Sequence, residues 1–187
     1  MTRPTNIELG LEEKRTWSVV VVYEDAAARE EAVRFCDLLI ERFWARYEFD
    51  VGWWSFAMLE EDDSAREATR KATEAALIVF APRLDGEVPI AVQKWIEGWL
   101  GDRGDREGAL VGLLDPGAGL SGGLASKYVY LRTVAHRCGL DYLTQLPEDI
   151  ARAIPDSLES YNERAAQVTS VLDEILHQPA LPPHLSF

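Results

Sequence analysis

Short unbroken apolar runs alternate along this chain with stretches whose apolar positions recur every three or four residues. Residues 17–23 (WSVVVVY) form a β-branched run with no polar alternation, the pattern of a strand covered on both faces. Asp25 follows as a helix N-cap, and Val33, Cys36, Leu39, Ile40, Phe43, Trp44 and Tyr47 then mark one face of a long helix. Residues 49–56 (FDVGWWSF) predict a second strand, interrupted at Gly52, in which the adjacent Trp53 and Trp54 face opposite sides. Ser64 and Glu67 have the spacing of a capping box, and the helix behind them carries Ala65, Ala68, Ala72 and Ala75, small enough to let it lie close to a sheet. Residues 76–81 (ALIVFA) predict a third strand, closed by Pro82.

The second half repeats the alternation. Pro89 suits the first turn of a helix whose apolar face is Val92, Trp95, Ile96, Trp99 and Leu100. Residues 109–114 (ALVGLL) form a fourth strand. A helix with Tyr128, Leu131, Ala135 and Cys138 follows, with Gly139 as its C′ residue. Residues 140–146 predict a fifth strand. Asp156 and Glu159 then suggest a cap for a last helix, lined by Leu158, Tyr161, Ala165, Val168, Leu172 and Ile175. Buried strands joined by helical crossovers demand a parallel sheet covered on both faces. The expected architecture is a three-layer α/β/α sandwich of flavodoxin-like type, five parallel strands in the order 2-1-3-4-5. The expected organisation is a loose arm at 1–15, one domain at 16–177 and a Pro-rich tail at 178–187. A ligand would meet the carboxyl edge of the sheet, where Tyr23, Glu24, Asp25, Trp54, Ser55, Pro82, Arg83 and Asp115 are placed.

Composition narrows the function. The 187 residues carry 32 Asp+Glu against 19 Lys+Arg, a net charge of −13, which repels phosphate backbones and anionic lipid and argues against nucleic-acid or membrane partners. No apolar run approaches the roughly 20 residues that span a bilayer, and the first 16 residues lack the apolar core of a secretory signal. The two cysteines, Cys36 and Cys138, lie in helical apolar patterns and read as buried free thiols. A cytoplasmic protein is expected, with no structural zinc. Trp95 and Trp99 share a helical face and read as core.

Several chemistries can be weighed against this frame. A flavin phosphate needs a hydroxyl- and glycine-rich loop after the first strand. The loop here is Glu24, Asp25, Ala26, Ala27 and Ala28, two carboxylates where an anion would sit, so no flavin and no other cofactor is expected. Neither dinucleotide nor P-loop fingerprint occurs. The acidic run 60–63 reads as charge at a helix N-terminus rather than an ion cage, and His177 and His184 lack companion ligands. Gly119-Leu-Ser121-Gly-Gly123 satisfies the G-x-S-x-G pattern of a serine hydrolase, but four residues separate it from the strand, so Ser121 reads as a helix cap or loop residue.

The acidic pair Glu24–Asp25 resembles the metal-binding carboxylates of response-regulator receiver domains. That resemblance implies a phospho-accepting Asp at the end of the third strand. This chain has Ala81, Pro82 and Arg83 there, and Leu143, Thr144, Gln145 where a receiver's Lys is expected. The stretch VVVVYEDAAAREEAVRFCDLLIERF, followed by ALIVFAP and a helix bearing Trp95, Ile96 and Glu97, resembles TIR-like domains. In that family's NAD hydrolases a Glu near a Trp stabilises the cation formed as nicotinamide leaves, a role the resemblance would give Glu97. Ala81–Pro82 stands where the family has a Ser, and an exposed helical Glu is the simpler account of Glu97. Deoxyribosyltransferase-like domains share the architecture and also use a Glu, without a specific motif here. The expectation is a non-catalytic regulatory or protein-interaction module. The alternative is an enzyme cleaving NAD or nucleoside N-glycosidic bonds through Glu97 or Glu24, with Tyr23, Asp25, Trp54, Arg83 and Asp115 around the ligand. Candidate partners are another protein, a small nucleoside-type ligand, or a second copy of the chain paired through the last helix.

Overall fold

The computed structural model describes residues 14–115, 117, 121–145 and 174–177. The elements are β1 (Arg15–Tyr23), α1 (Ala26–Phe43), β2 (Tyr47–Ser55), α2 (Asp62–Glu74), β3 (Leu77–Ala81), α3 (Ile90–Leu100), β4 (Ala109–Gly112), α4 (Gly122–Arg137) and β5 (Asp141–Thr144). The five strands form one sheet in the order β2-β1-β3-β4-β5, and every pairing is parallel. This is the flavodoxin-like α/β arrangement expected from the alternation.

The valine run explains the layering. Val19, Val20, Val21 and Val22 are all fully buried. Consecutive strand residues point to opposite faces, so both faces of β1 must be covered. Val20 and Val22 pack with Trp54, Ile78, Phe80 and the apolar faces of α2, α3 and α4. Val19 and Val21 pack with Leu77, Val79, Val111 and the inner face of α1. Ile175 and Leu176, in a helical turn at 174–176, join that second cluster; the rest of the expected last helix, its Asp156–Glu159 cap, the 1–13 part of the arm and the 178–187 tail lie outside the described residues. Trp53 and Trp54 sit in different clusters, as their adjacency required. Trp95 and Trp99 are core, in a T-shaped contact with centroids 5.8 Å apart. Cys36 and Cys138 are buried and unbridged, and burial, with a smaller push from Asp37, raises the Cys36 thiol to about 12, leaving it unreactive.

Several details differ from the sequence reading, among them the ends of the last two strands, which stop at Gly112 and Thr144. Strand β1 begins at Arg15, inside the expected arm, because β2 pairs with it from Arg15↔Tyr47 onward. Tyr47 therefore belongs to the strand and not to α1, which stops at Phe43; its ring packs 4.7 Å from Trp17. Gly52 does not interrupt β2. A Cβ there would lie 2.4 Å from the Trp54 indole, so the glycine is the space into which Trp54 folds. Helix α2 starts at Asp62, preceded by a short 3-10 helix at Ala57–Glu60 that periodicity did not signal. Glu61 takes the N-cap position and Ser64 Oγ donates to its carboxylate at 3.3 Å, so the Ser64–Glu67 box is replaced by the pair one turn earlier. Asp62 and Asp63 occupy the first turn, where the helix dipole favours them.

The loop after α3 hides a residue that composition gave no reason to single out. Arg103 is 1% exposed, and its guanidinium donates to the carbonyls of Ala72 at 2.8 Å, Ala75 at 2.7 Å and Glu107 at 3.3 Å. It thus satisfies carbonyls left unpaired at the C-terminus of α2. Burial lowers its pKa without threatening its charge. Replacing it by Met leaves those carbonyls buried and unpaired, and Arg103→Met is expected to lower the unfolding free energy in urea by about 2–4 kcal/mol.

Candidate functional site

The crossover order brings the carboxyl ends of β1 and β3 side by side, and the backbone there is stitched before any side chain acts: Glu24 N–H donates to Ala81 O at 3.0 Å. The Glu24 side chain, 14% exposed, turns toward β3. One carboxylate oxygen accepts from the backbone N–H of Arg83 at 2.8 Å, and the other lies 3.3 Å from Arg83 Nε. Arg83 Nε is also 3.3 Å from Asp85. The structure therefore brings Glu24 and Arg83 together as a closed pair that spans the two strand ends.

Beneath that pair lies a cation that the sequence reading passed over. Lys127, in the second turn of α4, is fully buried and donates to the carbonyls of Arg83 and Asp85. Burial lowers its pKa, and the nearby carboxylates of Glu24 and Asp85 oppose that shift. Its legible signal was positional: Leu124, Lys127, Tyr128 and Leu131 share the helical spacing of a buried face, and a lysine on such a face must have partners. The same end of α4 grips the β3–α3 loop at three further points. Ser126 Oγ donates to Glu87 at 2.7 Å, and Ser121 Oγ donates to Leu84 O at 3.3 Å. Gly86 adopts φ +66°, and a Cβ on Gly123 would stand 2.9 Å from Gly86 O, so the helix can approach only as glycine. This close approach accounts for Gly123 of the G-x-S-x-G pattern. Ser121 caps α4, accepting from Leu124 N–H at 3.1 Å, as expected; Gly119 lies outside the described residues.

The remaining expected residues are distributed as follows. Asp25 Oδ1 caps α1, accepting from Ala28 N–H at 2.9 Å. The Tyr23 ring is 6.5 Å from that of Trp53, and the Arg29 guanidinium stacks over both. Trp54 is 5% exposed and folds back over Gly52, away from the edge and into the α2-side core. Asp115 accepts from Gly117 N–H at 2.9 Å in a local turn. Glu97 sits in the last turns of α3, at the other end of the sheet. Its carboxylate pairs both oxygens with Arg137 at 2.6 and 2.9 Å. Those hydrogen bonds hold its pKa below the usual carboxylate range, the opposite of what a proton donor needs. Glu97 and Glu24 are therefore not brought to one cleft.

A second carboxylate, unremarked in the sequence, is perturbed instead. Glu31, in the second turn of α1, hydrogen-bonds Gln145 beyond β5 and faces Asp115 beyond β4. Burial raises its pKa, with Asp115 adding to the effect and Gln145 opposing it. No group of three His, Cys, Asp or Glu side chains converges as a metal site among the described residues. A separate open groove of about 890 Å³ runs between α2 and α3, lined by Leu59, Ala65, Thr69, Ala91, Trp95 and Gly98 among others. Among the described residues no helix is long and apolar enough to cross a membrane.

No protein-family model matches the chain, and a search of curated proteins returned no match.

The raised pKa of Glu31 gives a signed stability prediction. Its folded value lies above its unfolded value, so the ionised form is disfavoured by folding. The associated stability is complete below the unfolded pKa and lost as pH rises through the folded one. Glu31→Gln removes the ionisation and keeps an acceptor for Gln145. The variant is expected to melt above the parent at pH 7, with the gain closing as pH falls to about 4, read by calorimetry across that range.

Proposed function

We propose that this protein is a non-catalytic regulatory or protein-interaction module of the cytoplasm, built on a receiver- or TIR-like frame without the reactive groups of either. The observation that carries the reading is the Glu24–Arg83 closure: the acid best placed for chemistry at the carboxyl edge is bonded on both oxygens to the neighbouring strand end. The other acids support it. Asp25 is engaged as a cap, Asp115 in a turn, and Glu97 in an exposed ion pair far from the edge. Ala81, Pro82 and Arg83 stand where a receiver needs its acceptor Asp. Two buried, unbridged thiols fit a reducing compartment, and the strongly acidic surface favours partners with basic character.

The competing enzyme reading has a direct test. Purified protein incubated with NAD, or with a panel of nucleosides, is expected to release neither nicotinamide nor free base. With acetyl phosphate and magnesium it is expected to show no added mass. Steady release of nicotinamide or base that disappears in Glu24→Gln or Glu97→Gln would overturn the module reading, as would phosphorylation lost in Asp25→Ala.

A further inference from the structure

Strand β2 ends the sheet, and among the described residues nothing pairs with its outer edge. It is nine residues long and matches β1 without a bulge from Arg15↔Tyr47 to Tyr23↔Ser55. Such an edge carries a row of outward N–H and C=O groups, and proteins blunt it with proline, a bulge, a covering element or charged side chains, which on β2 are the two acids Glu48 and Asp50. Here β2 contains neither proline nor lysine. Helix α1 packs over β1 and β3, while α2 covers the other face of β1 and β2.

The two faces of β2 differ in character. Tyr47, Phe49, Val51 and Trp53 share the face toward α1, and each remains only partly buried. They make an aromatic stripe one strand wide that continues onto Trp17 and Tyr23 of β1. Glu48 and Asp50 lie exposed on the opposite face. Lys71 holds Asp50 at 2.9 Å, and Glu48 has no cationic partner among the described residues. An added strand would thus meet apolar side chains on one face and carboxylates on the other.

Deepening the interaction-module reading, on which it rests, we propose that the open edge of β2 receives an extended segment of a partner protein, alternating basic and apolar residues, as a sixth strand. Main-chain hydrogen bonds supply the pairing, and the alternation supplies the selectivity. Charge decides between this occupant and a second copy of the chain. Two copies would bring together surfaces that each carry a net charge of −13, whereas a basic segment is drawn in.

The test uses the full chain and a seven-residue peptide alternating lysine and valine, read by titration and by hydrogen exchange. Alternate amides of 47–55 are expected to exchange freely in the protein alone and to slow when the peptide is present. Glu48→Lys, an exposed substitution, is expected to weaken binding by about fivefold, the scale of one surface charge contact. A peptide of equal charge with proline in place of valine loses the N–H of every second residue and, with φ fixed at each proline, the β geometry of the strand, and is expected to bind at least about tenfold more weakly. Equal binding of the proline peptide, or slowed exchange only outside 47–55, would reduce the effect to bulk charge attraction and overturn the proposal. So would slow exchange of all the 47–55 amides in the free chain, or a concentration-dependent dimer protected at β2. Each of these outcomes removes the edge assignment alone; only turnover of NAD, nucleoside or acetyl phosphate removes the module reading.

Discussion

Burial of β1 on both faces is the constraint from which the architecture follows. Four consecutive valines with no exposed surface contribute about 2 kcal/mol each when removed from water. That gain exists only if helices cover both sides of the sheet. Parallel neighbours then follow, because each crossover must return over a face before the next strand can pair. The small residues of α2 serve the same end: Ala68 and Ala72 are fully buried, letting that helix settle against a face that already carries Trp54 and Phe80.

The carboxyl edge illustrates how a site position can be occupied by structure. In this fold the first-strand loop and the third-strand loop frame the usual ligand crevice. Here Glu24 joins them through Arg83, while Lys127 draws the carbonyls of Arg83 and Asp85 toward α4. A buried ammonium needs such acceptors and compensating charge. The Lys127, Glu24 and Asp85 charges therefore depend on one another, and the β3–α3 loop is tied down at several points. Among the described residues it is the outer edge of β2 that is left unpaired, beside a partly buried apolar stripe, the exposed Glu48 and the Lys71-bound Asp50.

Much of this was legible along the chain, for identifiable reasons. Five β-branched or apolar runs separated by helical periodicity suffice to define strands, crossovers and order. The capping roles of Asp25 and Ser121 were visible because a cap depends on residues three positions away. The buried state of Cys36, Cys138, Trp95 and Trp99 followed from helical spacing alone. Boundaries were less legible where pairing overrode local pattern. Tyr47 fits the helical spacing of α1, yet its partner Arg15 across the sheet decides that it is a strand residue. The N-terminus of α2 lies about one turn earlier than Ser64 and Glu67 suggest: Glu61 takes the N-cap position, and Ser64 donates to its carboxylate.

What the sequence determined by itself was set by short-range pattern: the alternation of elements, the parallel sheet, the burial of the valine run and the absence of a phosphate-cradling first loop. What only the tertiary structure decided was set by contacts between residues far apart in the chain. Arg103 reaches the end of α2, Lys127 reaches the β3–α3 loop, Glu31 meets Gln145, and Glu97 finds Arg137 rather than Glu24. A charged side chain looks the same in sequence whether it ends in solvent, under a loop or against a partner. Its environment is created by which elements the fold places beside it, and local pattern does not encode that choice.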